Sequence, residues 1–356
     1  MNYPVRNKVS ILLVVLLTII SFELYACAQS PNPQSPSGSI RERIRERIRE
    51  RMQEGAPSQN EQLSPSQGVR NGGDSGLQTG SVTSGGMTRN YFIFVPSSYR
   101  AGQAVPLVLG FHGGGIGSGK GFARTTSFNQ LAEQEKFIVV YPSGIDGQWN
   151  DGRGTPKLHP HISDVDFISA LLDQVEKDYS IDSRRIYATG ISNGGFFTQR
   201  LACELSNRIA AFAPVAASMA APLSKTCNPP KPVSILMINS PDDQFIPWKG
   251  GQMTKGAGGQ ILSIANTVQF WQKHNGCRAN PQEKTLTPLD QSDPTQVTLE
   301  SYMGCRNGSE VLLYTIQGGG HTWPNGDRQP KFLLGVTSRN LTATNTVWNF
   351  FKRHSL

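Results

Sequence analysis

Short apolar runs alternate with amphipathic segments from about residue 91 to the end of the chain. The apolar runs have strand length and little polar alternation, which indicates strands that are buried on both faces. They are Tyr91–Val95, Pro106–Phe111, Phe137–Tyr141, Arg185–Thr189, Ile209–Val215, Val233–Ile238 and Val311–Ile316. Helical spacing of apolar residues occurs in Asp164–Tyr179, Gly194–Leu205, Ser263–His274 and Thr344–Arg353. The alternation predicts an α/β fold, with a mainly parallel, doubly wound sheet and helices on both faces.

The N-terminal segment, residues 1–28, has the features of an export signal. Arg6 and Lys8 precede the apolar run Val9–Phe22, which is too short to span a membrane comfortably. Ala26-Cys27-Ala28 fits cleavage by an ordinary signal peptidase, whereas Leu24–Cys27 resembles a bacterial lipobox in which Cys27 would carry a lipid. We therefore expect an exported protein, periplasmic or extracellular, that meets a membrane only through such an anchor.

Residues 29–80 are rich in Ser, Pro, Gln, Gly and Asn, a composition typical of a disordered linker. Within this segment, residues 40–54 read IRERIRERIRERMQE, with an apolar residue at every fourth position. That spacing predicts a short charged helix, either a solvated spacer or a surface that touches a membrane or a partner. The rest of the chain, residues 81–356, is long enough for one large catalytic domain.

The formal net charge is +8 at pH 7, and no dense basic run or nucleic-acid-binding motif accompanies it. The charge therefore affects solubility and the rate of encounter with charged partners. We do not expect nucleic acid as a partner.

Four cysteines follow the signal, and an exported protein can oxidise them. They are Cys203, Cys227, Cys277 and Cys305, which allow three pairings. We favour the pairing of sequence neighbours, Cys203 with Cys227 and Cys277 with Cys305. The alternative, a catalytic thiol, lacks a nucleophile-like sequence context.

The segment GISNG, residues 190–194, fits the pattern G-x-S-x-G around Ser192. In a chain with 37 glycines the pattern alone is weak. Its context strengthens it, because a predicted strand runs directly into Gly190 and a predicted helix starts just after Ser192. A tight strand-to-helix turn needs small flanking residues and directs helix N–H groups toward the serine. Ser192 is therefore the predicted nucleophile.

A serine nucleophile needs a base and an acid that orients the base. His321 follows the strand Val311–Ile316 late in the chain, where a doubly wound hydrolase presents its base. Asp242 and Asp243 lie just after the strand Val233–Ile238. The order Ser, Asp, His is that of α/β-hydrolases, and the residues alone leave the choice between the two aspartates open.

Oxyanion donors are expected from the loop FHGGG, residues 111–115, which follows an early strand. Its candidates are the backbone N–H groups of Gly113 and Gly114, together with that of Asn193. A merely flexible glycine loop is the alternative. His159 and His161 lie near acidic residues, but their loop offers no fixed ligand geometry, so we expect no metal and no cofactor.

Six motifs in order, FHGGG, DVDFI, RIYATGISNGG, the Cys203 helix, SPDDQFIPW and GGGHTWP, resemble the polyhydroxybutyrate-depolymerase-like and feruloyl/acetylxylan esterases (carbohydrate esterase family 1). The resemblance runs from about residue 88 to 353 and implies an α/β-hydrolase fold. It implies that Ser192 is the nucleophile and His321 the base. Asp243 matches the acid because it lies four residues before Pro247, although Asn239-Ser240-Pro241 replaces the usual His-Gly-Thr.

The resemblance also implies a role for two aromatic residues. Trp149 would line the substrate cleft, and Trp323, beside His321, would do the same. A packed core position is the alternative for each.

Together these features predict an exported serine esterase. Its expected partner is an ester substrate, either a feruloyl or acetyl ester on plant polysaccharide or a short hydroxyalkanoate ester. A peptidase on the same fold and a non-catalytic surface binding protein are the alternatives.

Overall fold

The computed structural model describes residues 76–115, 117–327 and 329–356. The strands are β1 (Leu77–Ser84), β2 (Met87–Phe94), β3 (Val105–Phe111), β4 (Ile138–Pro142), β5 (Ile181–Ile191), β6 (Ala211–Val215), β7 (Ser234–Asn239), β8 (Gly251–Gln252), β9 (Gln260–Ile261), β10 (Gln282–Thr285), β11 (Gln296–Tyr302) and β12 (Val311–Gln317). The helices are α1 (Gly119–Thr126), α2 (Phe128–Glu135), α3 (Asp164–Asp178), α4 (Asn193–Glu204), α5 (Ala221–Ser224), α6 (Ile264–Asn275), α7 (Lys331–Leu334) and α8 (Ala343–Phe351). Short 3₁₀ turns occupy Pro156–Leu158 and Arg306–Gly308.

Ten strands form one sheet in the order β1-β2-β4-β3-β5-β6-β7-β12-β11-β10. The six central strands, from β4 to β12, are all parallel. Antiparallel strands complete each edge, with β2 and β1 beside β4 and β11 and β10 beside β12. The carboxyl ends of the central strands therefore meet at one edge of the sheet, where ligands of open α/β sheets bind.

The central strands are buried on both faces because helices cover each of them. Successive residues of β3 face opposite sides, with Leu107 and Leu109 in one apolar cluster and Val108 in the other. Side chains of α3, α4 and α6 fill the first cluster, and side chains of α1, α2 and α8 fill the second. This arrangement confirms the predicted α/β class and gives the strand order of an α/β-hydrolase sheet.

Every predicted strand and helix corresponds to an observed element, with ends that differ by a few residues. The pattern analysis missed four helices and five strands, namely α1, α2, α5, α7, β1, β8, β9, β10 and β11. The strand β1 is polar and forms by pairing with β2, so its alternation carries little sequence signal. It begins at Leu77, so residues 77–80, assigned above to the linker, belong to the folded domain.

Other N-terminal predictions lie outside the described residues. They are the export signal, the lipobox at Cys27, the linker up to residue 75 and the charged helix at residues 40–54. Within the part of the chain that the structure describes, no helix is both long and apolar enough to cross a bilayer.

Two disulfides crosslink peripheral segments of the domain. Cys203, near the end of α4, joins Cys227 after α5, and Cys277, just after α6, joins Cys305 after β11. These are the sequence-neighbour pairs, and neither closes onto the candidate catalytic residues.

Removal of the Cys203–Cys227 bridge should destabilise the domain. The bridge closes a loop with a sequence separation of 24 residues. A loop of that length predicts that Cys203→Ala/Cys227→Ala lowers the free energy of unfolding by about 3 kcal/mol, through the gain in unfolded-chain entropy. Urea denaturation of the double variant and the wild type, both with the second bridge intact, measures this difference. Equal midpoints at equal slopes would contradict the expectation.

Candidate active site

Ser192 sits at a strained turn between β5 and α4. Its φ is 57° and its ψ is −123°, in the positive-φ region that non-glycine residues rarely adopt. The turn is held from both sides, because the Ser192 N–H donates to Val215 O (2.9 Å) and the Phe196 N–H donates to Ser192 O (2.9 Å). The strain therefore persists at the residue whose hydroxyl is the candidate nucleophile.

The small residues around the turn are required by close backbone contacts. A Cβ on Gly190 would lie 2.5 Å from Gly194 O. A Cβ on Gly194 would overlap the carbonyl oxygens of Phe111 and His112 at the end of β3. The glycines of G-x-S-x-G thus allow α4 to start directly against the neighbouring strand.

Asp243 and His321 are joined by a hydrogen bond. His321 Nδ1 lies 2.7 Å from Asp243 Oδ2, and both side chains are buried. The second oxygen of Asp243 accepts the N–H groups of Phe245 (2.7 Å) and Ile246 (3.0 Å), which fix the carboxylate. The Phe245 ring stacks on the imidazole with centroids 4.7 Å apart. Nδ1 is committed to the acid, so Nε2 is the nitrogen left for proton transfer.

Asp242 makes different contacts from Asp243. It is exposed, and its Oδ2 accepts the N–H of Gly318 (2.7 Å) in the loop that leads to His321. Ser240 lies in the same loop after β7, here called the acid loop (residues 240–247), and it donates to Gly319 O (2.7 Å). The acid loop and the histidine loop are therefore tied together by hydrogen bonds at two points besides the Asp243–His321 pair.

All three candidate catalytic residues follow carboxyl ends of parallel strands. Ser192 follows β5, Asp243 follows β7 and His321 follows β12. The chain after His321 returns across the domain, because Trp323 packs on Phe122 of α1 and Phe128 of α2. These helices follow β3, which lies on the other side of β5 from β12, so the segment from His321 to Trp323 extends past β5, the strand that leads to Ser192.

The glycine loop after β3 lies directly over the turn. A Cβ on Gly113 would be 3.5 Å from Ser192 Cβ, and a Cβ on Gly114 would be 3.3 Å from Asn193 Cβ. Asn193 is the first residue of α4, where helix geometry leaves the backbone N–H without an intrahelical partner. The candidate oxyanion donors are thus adjacent to one another and to the serine.

His112 anchors this loop as a neutral side chain. Its Nε2 accepts the N–H of Gly144 (3.0 Å), which places the proton on Nδ1, and Nδ1 donates to Gly113 O (2.7 Å). Burial lowers the pKa of His112 to about 4. The imidazole thus stays uncharged at neutral pH. Its two hydrogen bonds connect the glycine loop to the loop after β4.

Comparison with known proteins finds esterases that are similar to this chain. No family model matches the chain. Feruloyl esterase B of Piromyces equi is 28% identical over 67% of this chain and 43% of its own length. The putative esterase NocK of Nocardia uniformis subsp. tsuyamanensis is 28% identical over 76% of this chain and 80% of its own length. Among solved structures, an acetyl xylan esterase from Aspergillus awamori aligns with 69% of this chain and 94% of its own, at 17% identity and a TM-score of 0.48.

Over the matched regions the chain is similar in sequence to these esterases, and its sheet has the strand order of an α/β-hydrolase. The chain spans less than half the length of the Piromyces esterase, so only the shared region is compared.

The two tryptophans predicted to line a substrate cleft are core residues instead. Trp149 has no exposed surface and stacks on Phe197 with centroids 5.0 Å apart. Trp323 also has no exposed surface, and its indole N–H donates to Thr344 Oγ1 (2.9 Å). Because neither ring reaches solvent, the substrate-lining interpretation is wrong for this structure and the packed-core alternative fits.

A buried ion pair beneath the turn was not found by sequence reasoning. Asp151 and Arg153 pair at 2.6 Å, with 0% and 2% of their side chains exposed. Asp151 Oδ2 also accepts from Asn193 Nδ2 (2.7 Å), while Asn193 Oδ1 accepts the N–H of Trp149 (2.8 Å). These hydrogen bonds fix the orientation of the Asn193 side chain. The only sequence signal was the polar run NDGR directly after Trp149.

The histidine pair considered for metal binding is not a ligand cluster. His159 Nε2 lies 3.2 Å from Asp146 Oδ2, at the surface. Across residues 76–115, 117–327 and 329–356, no group of three or more His, Cys, Asp or Glu side chains is placed to hold a metal ion.

The two adjacent aspartates should differ sharply in their effect on turnover. Asp243→Asn removes the acceptor that orients His321, so kcat on p-nitrophenyl acetate should fall about 10⁴-fold. Asp242→Asn keeps an oxygen for the Gly318 N–H and should change kcat less than about 10-fold. Both substitutions remove one negative charge at adjacent positions, so each variant is the control for the other. The opposite ranking would transfer the orienting role to Asp242.

Neutral His112 should make folding stability pH-dependent. Its folded pKa of about 4 lies below the ordinary value of 6.5, so between these values the unfolded chain binds a proton that the folded chain does not. Stability from this group is complete above pH 6.5 and is lost as pH falls toward 4, at up to about 1.4 kcal/mol per pH unit. The free energy of unfolding of His112→Gln should lack this slope relative to the wild type. The surface variant His161→Gln should keep it, and parallel profiles for His112→Gln and the wild type would refute a buried neutral imidazole.

Proposed function

We propose that this protein is an exported serine esterase that works through an acyl-enzyme on Ser192. The observation that carries the proposal is the buried hydrogen bond from His321 Nδ1 to Asp243 Oδ2, at the sheet edge where Ser192 occupies its strained turn. Sequence similarity to the two esterases named above supports the hydrolysis of carboxylic esters.

In the proposed reaction, Ser192 Oγ attacks the ester carbonyl carbon while His321 Nε2 takes the hydroxyl proton. The protonated imidazole then gives this proton to the departing alcohol. Asp243 holds the imidazole orientation and stabilises its positive charge. A water molecule, deprotonated by His321, next attacks the acyl carbon, and the acid leaves as Ser192 recovers its proton.

The negative oxygen formed in each attack needs donors that are already in place. The N–H of Asn193 and the N–H groups of Gly113 and Gly114 are the proposed donors. Support comes from their position against Ser192 and from two anchors, the neutral imidazole of His112 and the Asp151–Arg153 pair under Asn193. Fixed donors cost no reorganisation when charge develops.

Feruloyl or acetyl esters on plant polysaccharide, or short hydroxyalkanoate esters, are the proposed substrates. The name of the Piromyces relative supports an aromatic acyl group. A further support is the apolar pair on α7, Phe332 (93% exposed) and Leu333 (53% exposed). The helix α7 adjoins the candidate base, because the His321 N–H donates to Leu334 O (2.6 Å). An exposed apolar surface at that place suits an aromatic or other apolar substrate group.

Export is proposed from the N-terminal signal and is supported by the two disulfides, which form in oxidising compartments. A lipid on Cys27 remains the alternative to ordinary signal cleavage in this proposal.

Replacement of the nucleophile should abolish ester turnover. We expect Ser192→Ala to lower kcat by at least about 10⁴-fold on every ester that the wild type cleaves, because the acyl-enzyme cannot form. The panel is p-nitrophenyl acetate, p-nitrophenyl butyrate, methyl ferulate and a hydroxybutyrate oligomer. Ser292→Ala, which changes an exposed serine, is the matched control and should keep full activity.

The preferred ester in the panel separates the plant-wall role from the polyester role. Labelling by a fluorophosphonate probe should occur in the wild type and in Ser292→Ala but not in Ser192→Ala. Equal turnover by the wild type and Ser192→Ala would reject the serine mechanism. Turnover of matched amides in preference to esters would favour a peptidase, and a protein inert to both esters and the probe would favour a binding role.

A further inference from the structure

Lys255 places a positive charge beside the candidate base. Its Nζ lies 5.1 Å from the centroid of the Phe245 ring, and that ring stacks on the imidazole of His321 with centroids 4.7 Å apart. The ammonium and the imidazole thus contact the same half-buried aromatic ring. A substrate group several bonds from the reacting ester carbonyl is therefore within reach of the ammonium.

The hairpin that carries Lys255 is fixed against the candidate site. Residues 251–261 comprise β8, a glycine-rich turn and β9, which pairs antiparallel with β8. The Gly258 N–H donates to Lys255 O (3.3 Å), which closes part of the turn. Gly258 O in turn accepts from Nη1 of Arg153 (2.9 Å), the buried cation of the ion pair that holds Asn193. The turn therefore has a defined position next to the segments that bear the proposed catalytic groups.

The charge of Lys255 is not neutralised by a carboxylate of the protein. Lys255 is exposed, and among the described residues no Asp or Glu side chain forms an ion pair with it. An aromatic ring attracts a cation without cancelling its charge. By contrast, Arg153 is 2% exposed and is paired with Asp151. The ammonium of Lys255 is therefore available to an anionic group from outside the protein.

We propose that Lys255 is a specificity-determining residue, which binds a carboxylate on the ester substrate. The proposal rests on the serine esterase function and narrows its substrate class. Both kinds of proposed substrate can supply the carboxylate, because a hydroxyalkanoate oligomer ends in one and plant polysaccharide carries uronic acid residues. The ammonium does not touch the reacting atoms, so it should stabilise the bound ester and the transition state about equally.

Two pairs of esters test the proposal, and the members of each pair differ by one carboxylate. The first pair is a hydroxybutyrate trimer with a free terminal carboxylate and the same trimer with a terminal carboxamide. The second is an acetylated xylo-oligosaccharide with a glucuronic acid branch and the same compound with a glucose branch. The ratio of kcat/KM for the charged member to that for the neutral member is here called the carboxylate preference.

Three variants separate the charge from the side chain that carries it. Lys255→Met keeps the length of the side chain and should lower the carboxylate preference about 10-fold, through a higher KM for the charged ester. Lys255→Arg keeps the charge and the contact with the ring, so most of the preference should remain. Lys284→Met removes the same charge from the exposed edge strand β10 and is the control, with the preference of the wild type.

Ionic strength gives a second readout. Salt screens the attraction between exposed charges, so the wild-type preference should fall several-fold between about 0.05 M and about 0.5 M NaCl. The preference of Lys255→Met should change little over the same range. Thermal unfolding of each variant shows whether the fold is kept. If Lys255→Met fails to fold, the salt dependence of the wild type and the activity of Lys255→Arg decide the question.

The outcomes separate this proposal from the proposed function. No turnover by the wild type, or turnover that survives Ser192→Ala, would reject the esterase function itself. With an active wild type, an unchanged preference in Lys255→Met would overturn the role of Lys255 alone. An equal loss on both members of a pair would also overturn it, since Lys255 would then only support Phe245 and His321. A loss confined to the charged member supports the proposal, and the pair in which it occurs identifies the source of the carboxylate.

Discussion

The strained backbone at Ser192 is the constraint on which the rest of the site depends. A residue with φ near +57° and ψ near −123° can turn a strand into a helix within one position, which leaves the side chain at the apex and the helix N–H groups beside it. This geometry brings α4 so close to β3 and β5 that only hydrogen fits at Gly190 and Gly194. The strain must be offset elsewhere, and the buried strands on either side of β5 provide that support.

Several buried hydrogen bonds and one ion pair hold neighbouring loops against this turn. Neutral His112 joins the glycine loop to the loop after β4, and Asn193 joins the first turn of α4 to Trp149 and to the Asp151–Arg153 pair. Buried ion pairs are weak sources of stability because desolvation offsets their attraction. Here Asp151 of the pair accepts a hydrogen bond from Asn193, a proposed oxyanion donor, which suits a role in fixing geometry.

The loops that bear Asp243 and His321 accommodate a departure from the pattern of the esterases that the sequence resembles. Ser240, in the segment Asn239-Ser240-Pro241 that replaces His-Gly-Thr, donates to Gly319 O, and Asp242 accepts from Gly318 N–H. These two contacts bind the acid loop to the histidine loop independently of the Asp243–His321 bond. The two adjacent aspartates therefore have distinct contacts, one with the imidazole and the other with the backbone that leads to it.

Apolar periodicity and motif order were enough, in the sequence alone, to predict the α/β class, the central strands, the major helices and the segments that bear Ser192, Asp243 and His321. These are local signals, since burial on both faces and a tight turn each restrict residue type at adjacent positions. Polar edge strands such as β1 were missed because they are stabilised by pairing with distant residues. The burial of Trp149 and Trp323 and the ion pair Asp151–Arg153 were decided only by tertiary structure. Burial and hydrogen-bond partnership depend on which loops meet at the sheet edge, and that is a property of the folded chain rather than of any short stretch of it.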